Sequence, residues 1–286
     1  MLKIKILKGS GGTPIHNRRF WLLCLTSLIV FLLAAVTAAG IIWGEDARVS
    51  DFSIKNLPPG NPYLFGTDFL GRDMVKRTLA GLSMSIRLGL ITSAASAVIA
   101  LILGIGSAVL GKKADSLITG LIDLIMGIPH ILLLILISFA FGKGFTGVVV
   151  GISLTHWTSL ARLLRAEVLQ LLGSQYVKIS EKVGMGRWHI VREHLLPHLL
   201  PQFITGLILS FPHAILHEAG ITFLGFGLPP EEPAIGIILS ESMKYLITGK
   251  WWLAVFPGAA LVISVLLFQS LGHHVNSLLD PGSVHE

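Results

Sequence analysis

Charge is scarce in this sequence. Asp, Glu, Lys and Arg make up 13% of its 286 residues, about half the share of about 25% found in an ordinary soluble domain. There is one cysteine, Cys24, so an intrachain disulfide and a CxxC metal motif are both excluded. Cys24 lies inside an apolar run and reads as a small core or lipid-facing residue. A phosphate-cradling loop is also missing. Gly106 to Lys112 matches Gly-x-x-x-x-Gly-Lys, but Lys113 stands where Ser or Thr is required. The match also falls at the end of an apolar run, not between a strand and a helix. His194/His198 and His213/His217 have i,i+4 spacing, yet neither pair has the glutamate of a zinc protease motif. No Gly-x-Ser-x-Gly nucleophile motif occurs. These absences leave no catalytic residue and no bound cofactor to assign.

What the chain does have is apolar sequence. Hydrophobic residues are 52% of the total, and the mean hydropathy is +0.75. A bilayer core about 30 Å thick takes about 20 apolar residues per helix. Six runs fit: Phe20–Trp43, Leu88–Leu110, Ser116–Phe141, Phe145–Ala161, Leu199–Ala219 and Trp251–Leu271. The spacing therefore predicts an all-α membrane protein with six transmembrane helices. The first run is too long for a signal-peptide core and has no A-x-A site after it, so it reads as a retained anchor. The division expected is a tail at 1–19, a first helix at 20–43, a loop at 44–87, a core at 88–275 and a tail at 276–286.

The net charge is +6, but the basic residues sit in short clusters between apolar runs. That is the pattern of membrane-flanking loops, and it argues for lipid contact and against nucleic acid. With both termini inside the cell, thirteen Lys and Arg fall on inner segments and nine on outer ones. The outer loops also carry most of the acids. Both termini are accordingly expected in the cytoplasm.

Three connections exceed a turn, namely 44–87, 162–198 and 220–250. Gln175–Arg192 interleaves Tyr176, Val177, Val183, Trp188, Ile190 and Val191 with charged residues. Gly184 and Gly186 should divide it into two short helices, and Pro197 should halt it. The pattern fits a helical pair docking in a partner's groove, and equally an interfacial helix lying on lipid. Ionisable residues inside apolar runs are functional candidates. Asp123 reads either as one of these, or as a partner for a neighbouring helix or an inner-interface residue. His130 follows Pro129 and could bond a carbonyl freed by a kink. His156 beside Trp157 could pack neutral. His213, His217 and Glu218 cluster in the fifth run. His189, His273, His274 and His285 read as surface residues.

Three segments carry a family resemblance. Tyr176-Val177-x6-Gly184-x9-His194-x-Leu196-Pro197 resembles the ATPase-coupling loop of binding-protein-dependent ABC importer permeases, Glu-Ala-Ala-x3-Gly-x9-[Ile/His]-x-Leu-Pro. The triplet differs here, being Lys178-Ile179-Ser180. Leu64-Phe65-Gly66-Thr67-Asp68-Phe69-Leu70-Gly71-Arg72-Asp73 resembles the LGTDxLGRD segment of the dipeptide, oligopeptide and nickel permease group. Glu218 to Gly227 resembles its EAxLSFLGLG, although the tryptophan that usually follows is absent. The resemblance implies the type I ABC importer permease fold in a prokaryotic cell membrane. It implies a second homologous permease chain, two ATPase subunits that bind the ATP, and an external solute-binding protein. It places Tyr176, Val177, Gly184, His194, Leu196 and Pro197 on the coupling loop. It leaves His213, His217 and Glu218 as candidates for the translocation path, with no stable metal site. Nickel-type members tend to have histidine in this stretch, so the resemblance leans toward nickel or a metal chelate, with di- or oligopeptides as the alternative cargo. A proton-driven secondary transporter and a lipid-embedded enzyme are rival classes. The first should show an internal repeat, and none is visible.

Overall fold

The structure is a computed structural model and describes residues 18–279. Most of the expected tails, 1–19 and 276–286, fall outside the described residues. Ten α-helices are present among the described residues, with no strand. A single antiparallel bridge pairs Thr67 with Asp73.

The first helix, α1 (Arg18–Ile42), carries no charge beyond its first two residues. Only 11% of its apolar stretch is buried within the chain, so it presents its surface to lipid or to a partner. A loop with two 3-10 turns, Asp46–Arg48 and Phe52–Ile54, leads to α2 (Met74–Val109). That helix begins at Met74, well ahead of the apolar run at Leu88. Asp73 caps it, its side chain accepting from the Val75 N–H at 2.8 Å. Hydropathy misses the first turns because they carry Lys76, Arg77 and Arg87. α2 is the central post of the fold and packs on α1, α5 and α8. At Gly104, an added Cβ would lie 3.0 Å from the Ala161 carbonyl and 3.1 Å from the Leu164 Cβ, so glycine is what lets α5 approach.

The expected third span is broken. α3 (Lys112–Gly127) and α4 (His130–Ala140) meet at a bend of 101°. The cause is local. Pro129 disfavours a helical residue before it, and Ile128 is extended at φ −92° and ψ 137°. Among the described residues, five helices are therefore long and apolar enough to cross a membrane, or six if the bent pair is one span.

α5 (Phe145–Leu172) runs past the expected end at Ala161. The charges that close the apolar run there are paired with α3. Arg165 makes a two-pronged contact with Asp115 at 2.5 and 2.7 Å. Arg162 donates to Asp123 at 2.9 Å. Asp123 is thus a helix-to-helix ion-pair partner.

Next come α6 (Gln175–Lys182), α7 (Arg187–Ile190), a π-helical stretch Val191–Leu195, and α8 (Leu196–Phe223). Pro197 does not halt this path. It sits in the first turn of α8, where its missing N–H costs nothing, so the chain runs helical from Arg187 to Phe223. Within the connection expected as loop 220–250, Ile235–Leu246 forms α9, which buries Ile235, Ile237 and Ile238. α10 (Trp252–Leu279) closes the fold.

Candidate functional site

Two features converge on function, a cavity and a loop. The cavity, about 800 Å³, opens where α4 bends away from α3. Its wall is built from three places: Ile125 to His130 at the bend, Thr155 to Leu163 on α5, and Gly206 to His217 on α8. Apolar side chains dominate, interrupted by hydroxyls from Thr155, Thr158, Ser159 and Ser210 and by four histidines.

Three of those histidines meet. Ring centroids of His130 and His156 are 4.8 Å apart, those of His130 and His217 are 4.4 Å apart, and those of His156 and His217 are 5.0 Å apart. Each comes from a different helix. His130 is the first residue of α4, carried inward by the bend at Pro129. His156 projects from the middle of α5. His217 lies one helical turn after His213 on α8, past Pro212. All three are half-buried. One nitrogen from each lies within 4.8 Å of those of the other two. The Nδ1 of His156 is 3.2 Å from the Ile152 carbonyl oxygen. A carbonyl only accepts, so Nδ1 carries the hydrogen and Nε2 presents a lone pair. Both His156 Nε2 and His130 Nε2 are buried with no hydrogen-bond partner within the chain.

The sequence singled out His213 and His217 as a pair. Both line the cavity, but only His217 joins the three-ring cluster, and His213 is exposed. Glu218 does not line the cavity. Its carboxylate is fully buried, with Oε2 accepting from Ser85 Oγ at 2.6 Å and Oε1 from Thr222 Oγ1 at 3.0 Å. Thr222 Oγ1 also accepts from the Leu228 N–H at 3.2 Å. Glu218 therefore ties α2 to α8 and to the turn after it. Sequence reasoning treated His130 and His156 singly. The available signal was that each is an ionisable residue inside an apolar run; their meeting depends on the bend.

The loop from Gln175 to Leu195 lies beside the C-terminal end of α2, where Arg187 Nη1 reaches the Val109 carbonyl at 3.4 Å. Val177 and Leu195 are fully buried in the core beneath it, and Leu196 packs against the same core. Ser180 Oγ and His194 Nε2 are 3.0 Å apart. The Tyr176 ring meets the His194 ring edge-on at 5.7 Å. Gly184 turns the chain between α6 and α7 at φ +89°, a conformation that disfavours any Cβ. The turn closes by Gly184 N–H to the Glu181 carbonyl and Met185 N–H to the Ser180 carbonyl, both at 3.0 Å. Pro197 is exposed just beyond. The anchored loop turns five large apolar side chains outward: Tyr176, Ile179, Val183, Met185 and Trp188, the last 75% exposed.

At the other end of α2, the Asp68-to-Arg72 segment is locked by a charge network. Asp68 Oδ1 accepts the N–H groups of Leu70 and Arg72 at 2.8 and 2.9 Å. Its Oδ2 accepts from Arg72 Nε at 2.6 Å and from Arg77 Nη1 at 2.5 Å. Arg77 and Arg72 continue to Glu241 on α9 at 3.0 and 3.2 Å.

Comparison with known proteins converges on one family. Residues 97–283 match the model of the binding-protein-dependent transport system inner membrane component. A putative peptide transport system permease protein of Brucella suis is 35% identical over 93% of this chain and 88% of its own length. The dipeptide transport system permease protein of Bacillus subtilis is 31% identical over 89% of this chain and 79% of its own length. Among solved structures, the MetNI methionine ABC transporter in an inward-facing conformation superposes with a TM-score of 0.61 at 20% identity, covering 72% of this chain and 98% of that chain. The likeness to MetNI carries the type I permease fold. With the family match across most of the chain, and relatives aligned along nearly all of it, this protein belongs to the binding-protein-dependent inner membrane permeases of ABC transporters.

Proposed function

We propose that this chain is one half of a paired permease that imports small peptides. Membership of the family implies an ATPase and an external binding protein as partners, and makes the chain a multi-pass, non-catalytic membrane component. The finer assignment has two supports. The relatives at 35% and 31% identity are named for peptide and dipeptide systems. The earlier lean toward nickel or a metal chelate, drawn from His213 and His217, has no support among them. The second support is the cavity wall, which mixes apolar surface with scattered hydroxyls and carries no fixed charge among its lining side chains, a surface suited to varied peptide side chains.

The observation that carries the coupling role is the outward apolar ridge of Tyr176, Ile179, Val183 and Trp188 on a loop whose underside is fixed by Val177 and Leu195. A loop that only rested on lipid would not need a rigid seat in the core. In our reading two ATPase subunits take this ridge and its copy on a second homologous chain. Both termini and the loop then face the cytoplasm, and ATP-driven closure rocks the helices around the cavity. The test is uptake by the intact system, with its binding protein, of a labelled dipeptide and of radioactive nickel in parallel. Peptide uptake that is lost with Trp188→Glu at normal membrane abundance supports the assignment. Nickel uptake without peptide uptake overturns the cargo, and full activity of Trp188→Glu overturns the docking face.

A further inference from the structure

We propose that His130, His156 and His217 form a binding site for a divalent late transition-metal ion in the wall of the cavity. The site is distinct from the peptide cargo reading and does not rest on it. One ligand nitrogen from each ring already lies within 4.8 Å of the other two. A metal–nitrogen distance of about 2.0–2.1 Å in tetrahedral geometry separates ligand nitrogens by about 3.4 Å, so small side-chain rotations complete the set. The three residues come from α4, α5 and α8, and no local sequence pattern brings them together.

Two further features favour a ligand over simple packing. The Ile152 carbonyl holds His156 in the tautomer whose Nε2 lone pair is free, which is the arrangement that orients a metal-bound imidazole. His156 Nε2 and His130 Nε2 are buried without any partner in the chain, and a buried polar atom left unpaired is costly. The unpartnered His156 lone pair lies in a largely apolar wall beside the other two rings, and an ion that accepts a lone pair from each ring relieves the cost of desolvation.

The donor set selects the ion. Three neutral imidazoles with no thiolate suit Zn²⁺, Co²⁺, Ni²⁺ or Cu²⁺, while Ca²⁺ and Mg²⁺ require oxygen ligands. Glu218, the nearest carboxylate in sequence, is held by Ser85 and Thr222 and is not part of the lining. Three protein ligands leave a fourth position open, and the rings line an open cavity, so water or a donor atom of a passing solute completes the coordination. The bound ion also ties three helices to one point.

Cobalt added alone is the probe. The whole transport complex is placed in lipid nanodiscs without nucleotide and titrated with Co²⁺, whose visible absorption reports tetrahedral nitrogen coordination. We expect one ion per copy of this chain. His130→Gln, His156→Gln and His217→Gln should each weaken binding at least tenfold, with His273→Gln, exposed on α10, serving as a control that binds as the wild type does. Basal ATPase activity of each variant reports assembly. Where a variant fails to assemble, X-ray absorption of the zinc-loaded wild type should show three nitrogen neighbours at about 2.0 Å. Absence of the cobalt band, unchanged affinity in assembled variants of the three histidines, or an oxygen-rich six-coordinate zinc shell overturns the site. Loss of peptide uptake with cobalt binding intact would bear only on the cargo assignment.

Discussion

Gly184 and Glu218 illustrate how single residues divide between backbone geometry and buried polarity. At Gly184 an added Cβ meets nothing within 4 Å, so any cost of substitution comes from φ +89° alone. A left-handed residue costs an ordinary side chain about 1–2 kcal/mol, and Asn less. Gly184→Asn should therefore keep most of the coupling between ATP hydrolysis and uptake, and Gly184→Val should lose it. Equal uptake by both variants would remove the backbone argument. At Glu218 the logic is pairing. Glu218→Ala leaves the Ser85 and Thr222 hydroxyls without their acceptor in a fully buried place. An unmet buried hydrogen bond costs about 1–3 kcal/mol. We expect Glu218→Ala to reduce membrane abundance and thermal stability, with Glu218→Gln intermediate because its single amide oxygen keeps an acceptor for one of the two hydroxyls. The sequence marked both residues. For Gly184 the predicted turn is present, although the helical stretch after it runs on to Phe223 and is not short. For Glu218 the residue type was legible but its direction was not, because a helical position alone does not say which side faces the cavity.

At the scale of elements, the network at the start of α2 joins a loop, a long helix and α9. Asp68 and Arg77 expose only 2% and 4% of their side chains, whereas Glu241 exposes 23%. Removing one partner of a buried pair costs about 3–5 kcal/mol, since the other charge is left desolvated and alone. Arg77→Ala should therefore lower the melting temperature of the purified complex strongly. Arg72→Ala should lower it less, since Arg77 still reaches Asp68 and Glu241. Comparable shifts for the two variants would contradict the ranking by burial. The same elements show where hydropathy misplaces boundaries. Met74 to Arg87 is helix because Asp73 caps it and Arg77 is neutralised. α5 continues beyond Ala161 because Arg162 and Arg165 find Asp123 and Asp115 on α3. Charges end an apolar run in sequence, but they do not end a helix when a neighbouring helix supplies the counter-charge.

For the whole molecule, the testable property is its direction in the membrane. Asn61 is exposed on the loop before α2, and Lys182 is exposed at the end of α6. In a background without Cys24, Asn61→Cys should react with an impermeant thiol reagent added outside, and Lys182→Cys only after the membrane is opened. The opposite pattern would invert the proposed orientation. The apolar runs by themselves determined that the chain is a bundle of membrane helices, because about 20 consecutive apolar residues have few other stable homes. Local chemistry also determined the glycine turn at Gly184, since that constraint acts within a few residues. The break at Ile128-Pro129 was locally encoded too, but its 101° angle was not. Only the tertiary structure decided that this bend carries His130 to His156 and His217, three residues from three helices and far apart in sequence. Periodicity reports which residues share one face of one helix; which faces meet is set by packing against α2, through contacts such as that of Gly104 of α2 with Ala161 and Leu164 of α5, which no single segment contains.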